Sequence, residues 1–360
     1  MSFKKNYSAV DKALHYLAFS VPTLRILLND IENSLYKKEL ASFESQNEVF
    51  ISGLPRSGTT LLLEFLAQTG EFHTFSYRHM PFIYSPLLWR KLSNPFAKKG
   101  KTMERAHGDG MKVTLDSPEA FEEVIWLNHL KAKFVAKDRL IPLSLKNTSL
   151  KFAKHFQTVI KKLLIESNKE GKNLRYISKN NANCSRISVI KKIFPTSTIL
   201  LPFREPLAHI GSLMKQHAQF SEMHQDDKFG QNYMRWLGHF DFGANFKPID
   251  FDHWLNELES PANYQDENFW LSYWIAAYSN IIENQQQNVY LVDYDKLLSS
   301  PKEVLTNIAD KLKLKAPSRL VSCSDSIRSP TSKSIKTDTI QPKLVQKAVA
   351  LHRQLQEAAI

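Results

Sequence analysis

Two cysteines, Cys184 and Cys323, are all that 360 residues provide, so at most one disulfide is conceivable and packing must hold the chain together. So few thiols fit a reduced, cytoplasmic protein, and no cysteine or histidine spacing of a zinc site is present. Long apolar runs are missing as well. The N-terminal stretch is interrupted by Asp11, Lys12, His15 and Arg25, too polar for a signal peptide and too broken for a membrane span. No integral membrane segment is expected. Residues 1–45 read as an amphipathic helical segment packing on the domain, with attachment to a membrane surface as the alternative. Internal repeats and low-complexity segments are absent too, which sets aside repeat architectures.

Nor is there a long basic run, although the net charge is +12 and the isoelectric point near 9.4. Pairs such as Lys98-Lys99, Lys161-Lys162 and Lys191-Lys192 are scattered, as on solvated helix faces. The charge favours an anionic partner: nucleic acid, an acidic lipid surface or a phosphate-rich small molecule. Nucleic acid would explain the charge but none of the loops described next, so it is not the expected partner.

What is present is an apolar share of 42% with 11% aromatics, enough for a large core in one domain. A β-prone run at 48–52 leads into Gly53-Leu54-Pro55-Arg56-Ser57-Gly58-Thr59-Thr60. Leu61, Leu62, Phe65 and Leu66 then recur at helical spacing until Gly70. Strand, glycine-bounded loop and helix form the layout of a phosphate-binding turn. Further strands are expected at 174–178, 198–203 and 288–292, each followed by a helical pattern; Pro206 and Pro301 suit first turns. Strands alternating with helices predict a three-layer α/β/α, P-loop-type fold around a mostly parallel sheet. The domain is expected over 46–340, with helical insertions at about 77–170 and 217–285, and a final helix over 341–360.

The loop lacks one residue that matters. A nucleoside-triphosphate loop reads G-x-x-x-x-G-K-[ST], but here Thr59 follows Gly58, and the cation sits inside the loop as Arg56. Backbone N–H groups can still cradle an anion. Arg204 rather than a metal-holding Asp ends the 198–203 strand, so ATP-dependent phosphotransfer loses both of its usual charge stabilisers.

These residues resemble a known family. The loop is similar to the 5′-phosphosulfate loop of sulfotransferases that use 3′-phosphoadenosine-5′-phosphosulfate (PAPS), in the bacterial and tyrosylprotein-like branch. Phe194-Pro195, then Thr198-Ile199-Leu200-Leu201-Pro202-Phe203-Arg204-Glu205-Pro206 and Ser212, resemble the family's 3′-phosphate segment. The stretch at 289–298 with Pro301 resembles its later strand–helix signature, and with it Tyr294 is a candidate nucleotide contact. The likeness covers roughly 48–70 and 174–315. It implies donor contacts from Pro55, Arg56, Ser57, Gly58, Thr59 and Thr60 to the 5′-phosphosulfate, and from Arg204 and Ser212 to the 3′-phosphate. Physically, the Arg204 fork and the Ser212 hydroxyl suit a second phosphate remote from the loop. Ser332 and Lys333, in a basic hydroxyl-rich loop, are candidate contacts by the same likeness.

Sulfonyl transfer is an in-line displacement in which positioned cations do most of the work. Arg56 is the candidate for the leaving phosphate, and Lys179 matches a family lysine that faces the transferring group. The scheme needs no metal; PAP (3′-phosphoadenosine-5′-phosphate) is the product. The acceptor must lose a proton, and here the chain departs from its relatives. Where cytosolic enzymes carry a histidine two residues after that lysine, Asn181 stands. His79 and His107, the latter beside Asp109, are candidate bases, with Glu122 or Glu123 as further options. Asp116 and Ser117 read as a helix cap. The aromatic run at 233–242 could wall the acceptor side, while Phe269, Trp270, Tyr273, Trp274 and Tyr278 read as the buried stripe of a helix. The expected function is sulfonyl transfer to a hydroxyl or amine of a small-molecule, carbohydrate or lipid acceptor. ATP-dependent phosphotransfer and a catalytically silent nucleotide-binding protein are the alternatives.

Overall fold

The computed structural model describes residues 9–93, 103–104, 112–113, 117, 119, 121–167, 173–258, 262–327 and 338–360. Strands β1 (Val49–Ile51), β2 (Phe72–His73), β5 (Arg175–Lys179), β6 (Thr198–Phe203) and β7 (Val289–Asp293) form one sheet in the order β2-β5-β1-β6-β7. All neighbours are parallel; Val49 lies opposite both Ile177 of β5 and Thr198 of β6. Strands β3 (Met103–Glu104) and β4 (Lys112–Val113) form a separate antiparallel pair.

Helices come in groups around that sheet. Ahead of β1 stand α1 (Ala9–Ser20), α2 (Pro22–Leu35) and α3 (Lys37–Ser42). Helix α4 (Thr59–Gln68) follows the loop, then α5 (Pro86–Ser93), α6 (Glu123–Phe134) and α7 (Leu150–Ser167). Next come α8 (Ile187–Ile193), α9 (Pro206–Asp226), α10 (Lys228–Trp236) and α11 (Glu267–Glu283). After β7 the chain forms α12 (Tyr294–Ser299), α13 (Pro301–Leu312), α14 (Pro317–Val321) and α15 (Pro342–Ala358).

Alternation along the strands divides the interior in two. Val49, Ile51, Ile177, Leu200 and Val292 pack against Leu62 and Leu66 of α4 and Val304 and Ile308 of α13. Phe50, Tyr176, Ile199, Leu201 and Leu291 face the opposite way, into a larger core that includes residues of α6, α7, α8, α9, α11 and α15. This is the α/β/α arrangement expected from the sequence.

The start of one helix differs from expectation. Asp116, read as part of a helix cap, lies outside the described residues; α6 begins at Glu123, with Glu122 as its N-cap and no side-chain cap bond. The turn at Phe121–Glu122 delays the helix so that Glu122 and Trp126 are both buried. Helix α9 runs unbroken from Pro206 to Asp226, across the expected start of the second insertion. The first three helices are bound to the rest of the fold. Phe19 stacks on Trp236 of α10 at 5.5 Å between ring centroids, and Arg25 Nη2 donates to Asn128 Oδ1 at 3.0 Å. At the other end, Ile360 N–H donates to Leu291 O at 3.1 Å and Gln356 Nε2 to Asp293 Oδ2 at 3.0 Å, so the chain's last residues lie along β7.

Candidate active site

Residues 52–58 leave the middle of the sheet, where β1 stops between β5 and β6. Two glycines let this loop turn. At Gly53, with φ of 140°, a Cβ would lie 3.0 Å from Pro202 O on β6. At Gly58, the left-handed N-cap of α4 with φ of 100°, it would lie 2.4 Å from Tyr294 Cδ2. Arg56 also has a positive φ, 72°.

Buried polar groups brace the loop. His209 Nε2 meets Pro55 O at 2.9 Å, and Trp274 Nε1 donates to His209 Nδ1 at 3.2 Å. That pattern assigns the proton to Nε2, and burial holds the imidazole neutral, pushing its pKa down to about 3. The Tyr278 hydroxyl donates to Pro202 O at 3.1 Å. Sequence reading placed Trp274 and Tyr278 in a core stripe, which they occupy; their loop contacts depend on residues more than 60 positions away and left no local signal.

Arg204 stands where β6 ends, only 6% exposed. Its Nη1 donates to Arg56 O at 3.2 Å, and its guanidinium lies 4.9 Å from the Tyr294 ring centroid. Its Nε is buried without a hydrogen-bond partner, and no carboxylate pairs with it among the described residues. Arg56 Nε donates to Ser212 Oγ at 3.2 Å, nearly two turns into α9. Glu205 caps that helix by accepting from Leu207 N and Ala208 N. Arg56, Arg204, Ser212 and Tyr294 therefore come together against the loop. Ser57 Oγ is buried nearby without a well-formed bond, although the Tyr278 hydroxyl is close.

A cleft on the other side of the loop is lined by Pro55, Lys179, Asn181, Glu123, His239 and Asp241, among others. Arg56 is not part of this lining; its side chain is directed at Ser212 instead. Thr59 Oγ1 donates to Asn181 Oδ1 at 3.3 Å, and Asn181 Nδ2 donates to Asp241 Oδ2 at 2.8 Å. Thr60 follows on the first turn of α4. Below the cleft lies a buried ionic cluster. Glu123 is ion-paired to Arg186 and accepts from Asn180 Nδ2 at 2.6 Å. Glu122 accepts from Trp126, Tyr176 and Asn183, each within 3.0 Å. Burial raises the Glu123 pKa, and Arg186 opposes the rise.

His79, a candidate base on sequence grounds, has another task. Its Nδ1 accepts from Ser76 N–H at 2.9 Å in a capping box, and its Nε2 lies 2.8 Å from Glu166 Oε2. The imidazole is 3% exposed and is not among the residues lining the cleft. Local sequence hid this, because Glu166 is 87 residues away. With His73, these two residues place three potential metal-ligand atoms within 4.8 Å of one another. The Ser76 bond leaves the ring proton on Nε2, however, where it points at the carboxylate rather than offering a lone pair to a cation. His107, Ser332 and Lys333 lie outside the described residues.

Residues 48–250, more than half of the chain, match the model of the sulfotransferase family. The chain belongs to that family. Among solved structures, this sulfotransferase is similar in fold to sulfotransferase STF9 from Mycobacterium avium. The TM-score is 0.51 at 10% identity, over 90% of this chain and 80% of that one. Sulfotransferase STF1 from Mycobacterium tuberculosis H37Rv aligns with a TM-score of 0.48 at 12% identity, over 90% of this sulfotransferase and 81% of its own chain. No curated protein matches the sequence.

Proposed function

We propose that this sulfotransferase uses PAPS as its donor and a hydroxyl or amine of a small-molecule, carbohydrate or lipid compound as its acceptor. One observation carries the donor assignment. Arg204 is a buried guanidinium without a carboxylate partner among the described residues, and its Nε is left over beside a glycine turn. A buried cation in that state favours an anion, and Arg56 and Ser212 converge on the same place. A nucleotide with a 3′-phosphate supplies such an anion at a distance from its 5′ end, and PAPS supplies a sulfonyl group on a phosphate leaving group.

In this reading Arg204, Ser212 and Arg56 hold the 3′-phosphate side, with Tyr294 as the surface on which Arg204 rests. The backbone N–H groups of residues 55–60 take the 5′-phosphosulfate, with the Ser57, Thr59 and Thr60 hydroxyls beside them. Lys179, in the cleft, faces the group being transferred. His209, neutral and hydrogen-bonded to Pro55, keeps the loop in place without adding charge.

Calorimetric titration with PAP, alongside ADP with magnesium, tests the donor assignment. PAP should bind more tightly than ADP. Arg204→Ala should weaken PAP by about 10- to 100-fold, the range of a charge-assisted bond, and remove the preference. Equal or tighter ADP binding would overturn the assignment and favour ATP-dependent chemistry.

A further inference from the structure

A hydroxyl that attacks sulfur must pass its proton to a base within hydrogen-bond reach. Besides Lys179, five titratable side chains line the cleft: Glu123, His239, Asp241, Lys247 and Tyr273. Lys247 donates to the backbone carbonyls of Ala136 and Lys137, and burial keeps the Tyr273 phenol protonated, so neither is placed to take a proton. Glu123 is committed to Arg186 and Asn180, and an acceptor would have to displace a buried ion pair to use it. Asp241 is in a different state. It is half-buried, and its single hydrogen bond among the described residues is the one that Asn181 Nδ2 donates to Oδ2. Oδ1 is left for the cleft.

Asn181 is fixed from both sides. Asp241, whose carboxylate only accepts, fixes the amide with Nδ2 toward it, and Oδ1 then accepts from the Thr59 hydroxyl at the start of α4. Thr59, Asn181 and Asp241 thus form a hydrogen-bonded series from the anion-binding loop to the cleft that contains Lys179. The geometry points to Asp241 as the general base of the transfer and to Asn181 as its positioning residue, an inference that rests on the sulfonyl-transfer reading above. The acceptor oxygen bonds to sulfur as the bond from sulfur to the phosphate oxygen breaks. The electron pair leaves with the phosphate, and the acceptor proton passes to Asp241 Oδ1. The carboxylate thereby supplies what Asn181 itself cannot.

The test uses the full chain, PAP for binding, and PAPS with water as acceptor, followed as release of inorganic sulfate. Asp241→Asn should bind PAP within about twofold of wild type yet release sulfate about 10²- to 10³-fold more slowly, the range of a lost general base. The acidic limb of its pH–rate profile should disappear. Asp241→Glu should keep that limb, and Asn181→His in the Asp241→Asn background should restore part of the rate. The inference fails if Asp241→Asn keeps the wild-type rate and acidic limb, or if His239→Ala alone removes that limb. Loss of PAP binding in Asp241→Asn would also overturn it, since the carboxylate would then serve the fold. So would a wild type that binds PAP and consumes no PAPS. A wild type that binds no PAP at all overturns the donor assignment instead, a distinct result.

Discussion

A single methyl group at Gly58 would meet Tyr294 Cδ2 at 2.4 Å, in a backbone conformation that side chains rarely adopt. Gly58→Ala should therefore cost on the order of 1–3 kcal/mol in stability, from left-handed strain plus displacement of the ring. Because Arg204 rests on that ring, PAP affinity should fall too. Urea denaturation and calorimetry read the two effects, and adding Tyr294→Ala should relieve only the part of the stability loss due to the ring, the left-handed strain remaining, while leaving affinity low. Arg186 makes a second residue-scale case. It pairs with Glu123 and lies 4.1 Å from the Trp126 ring centroid, with 2% exposure. Arg186→Met would leave Glu123 buried without its counter-charge, so a loss of about 3–5 kcal/mol is expected in the same denaturation assay.

Between elements, the informative contact joins α2 to α7. Lys162 is buried and donates to Asn29 Oδ1 at 2.9 Å and Tyr84 O at 3.0 Å, while Glu32 Oε1 stands 3.6 Å from its ammonium. Burial, opposed mainly by Lys162, raises Glu32 from 4.5 to about 7. Folding thus favours the protonated carboxyl: its contribution is full below about pH 4.5 and is lost as pH rises through about 7. Burial lowers Lys162 from 10.5 to about 8, so its contribution is present above the unfolded value and lost as pH falls through about 8. Glu32→Gln should flatten the decline in stability between pH 4.5 and 7, by on the order of 2 kcal/mol across that window. Urea titrations across the window measure it. Elements of this kind also show what sequence could and could not carry. The strand Thr198–Phe203 and the start of the helix at Pro301 were legible, because apolar runs and a proline at the first turn are local signals. The start of α6 was not, because Glu122 has its partners at Tyr176 and Asn183, brought in by the sheet. The loop and Arg204 could be read from spacing. The Asn181–Asp241 bond could not, since 60 residues separate its ends. His79 misled for the same reason, its partner Glu166 lying on a distant helix.

At the level of the molecule, a positive net charge of +12 surrounds a site that is itself cationic. Attraction of an anionic nucleotide should then be screened by salt, so raising ionic strength from 0.05 to 0.5 M should weaken PAP, on the order of tenfold, chiefly through its association rate. Stopped-flow binding at two salt concentrations measures it. PAP that binds only the folded chain should also raise the melting temperature: about 2.7 kcal/mol at a hundredfold excess over Kd, read by calorimetry. Arg204→Ala should lose most of that gain, and Glu32→Gln should keep it.

The contacts of Ile360 and Gln356 with β7 have a further consequence for the molecule in company. β7 is the sheet's outer strand, and an open strand edge invites another chain to join it. The last residues occupy part of that edge, at Leu291 and Asp293, where a neighbouring strand would otherwise pair. Removing residues 356–360 should leave catalysis chemically intact while turning a well-behaved solution into one that scatters light.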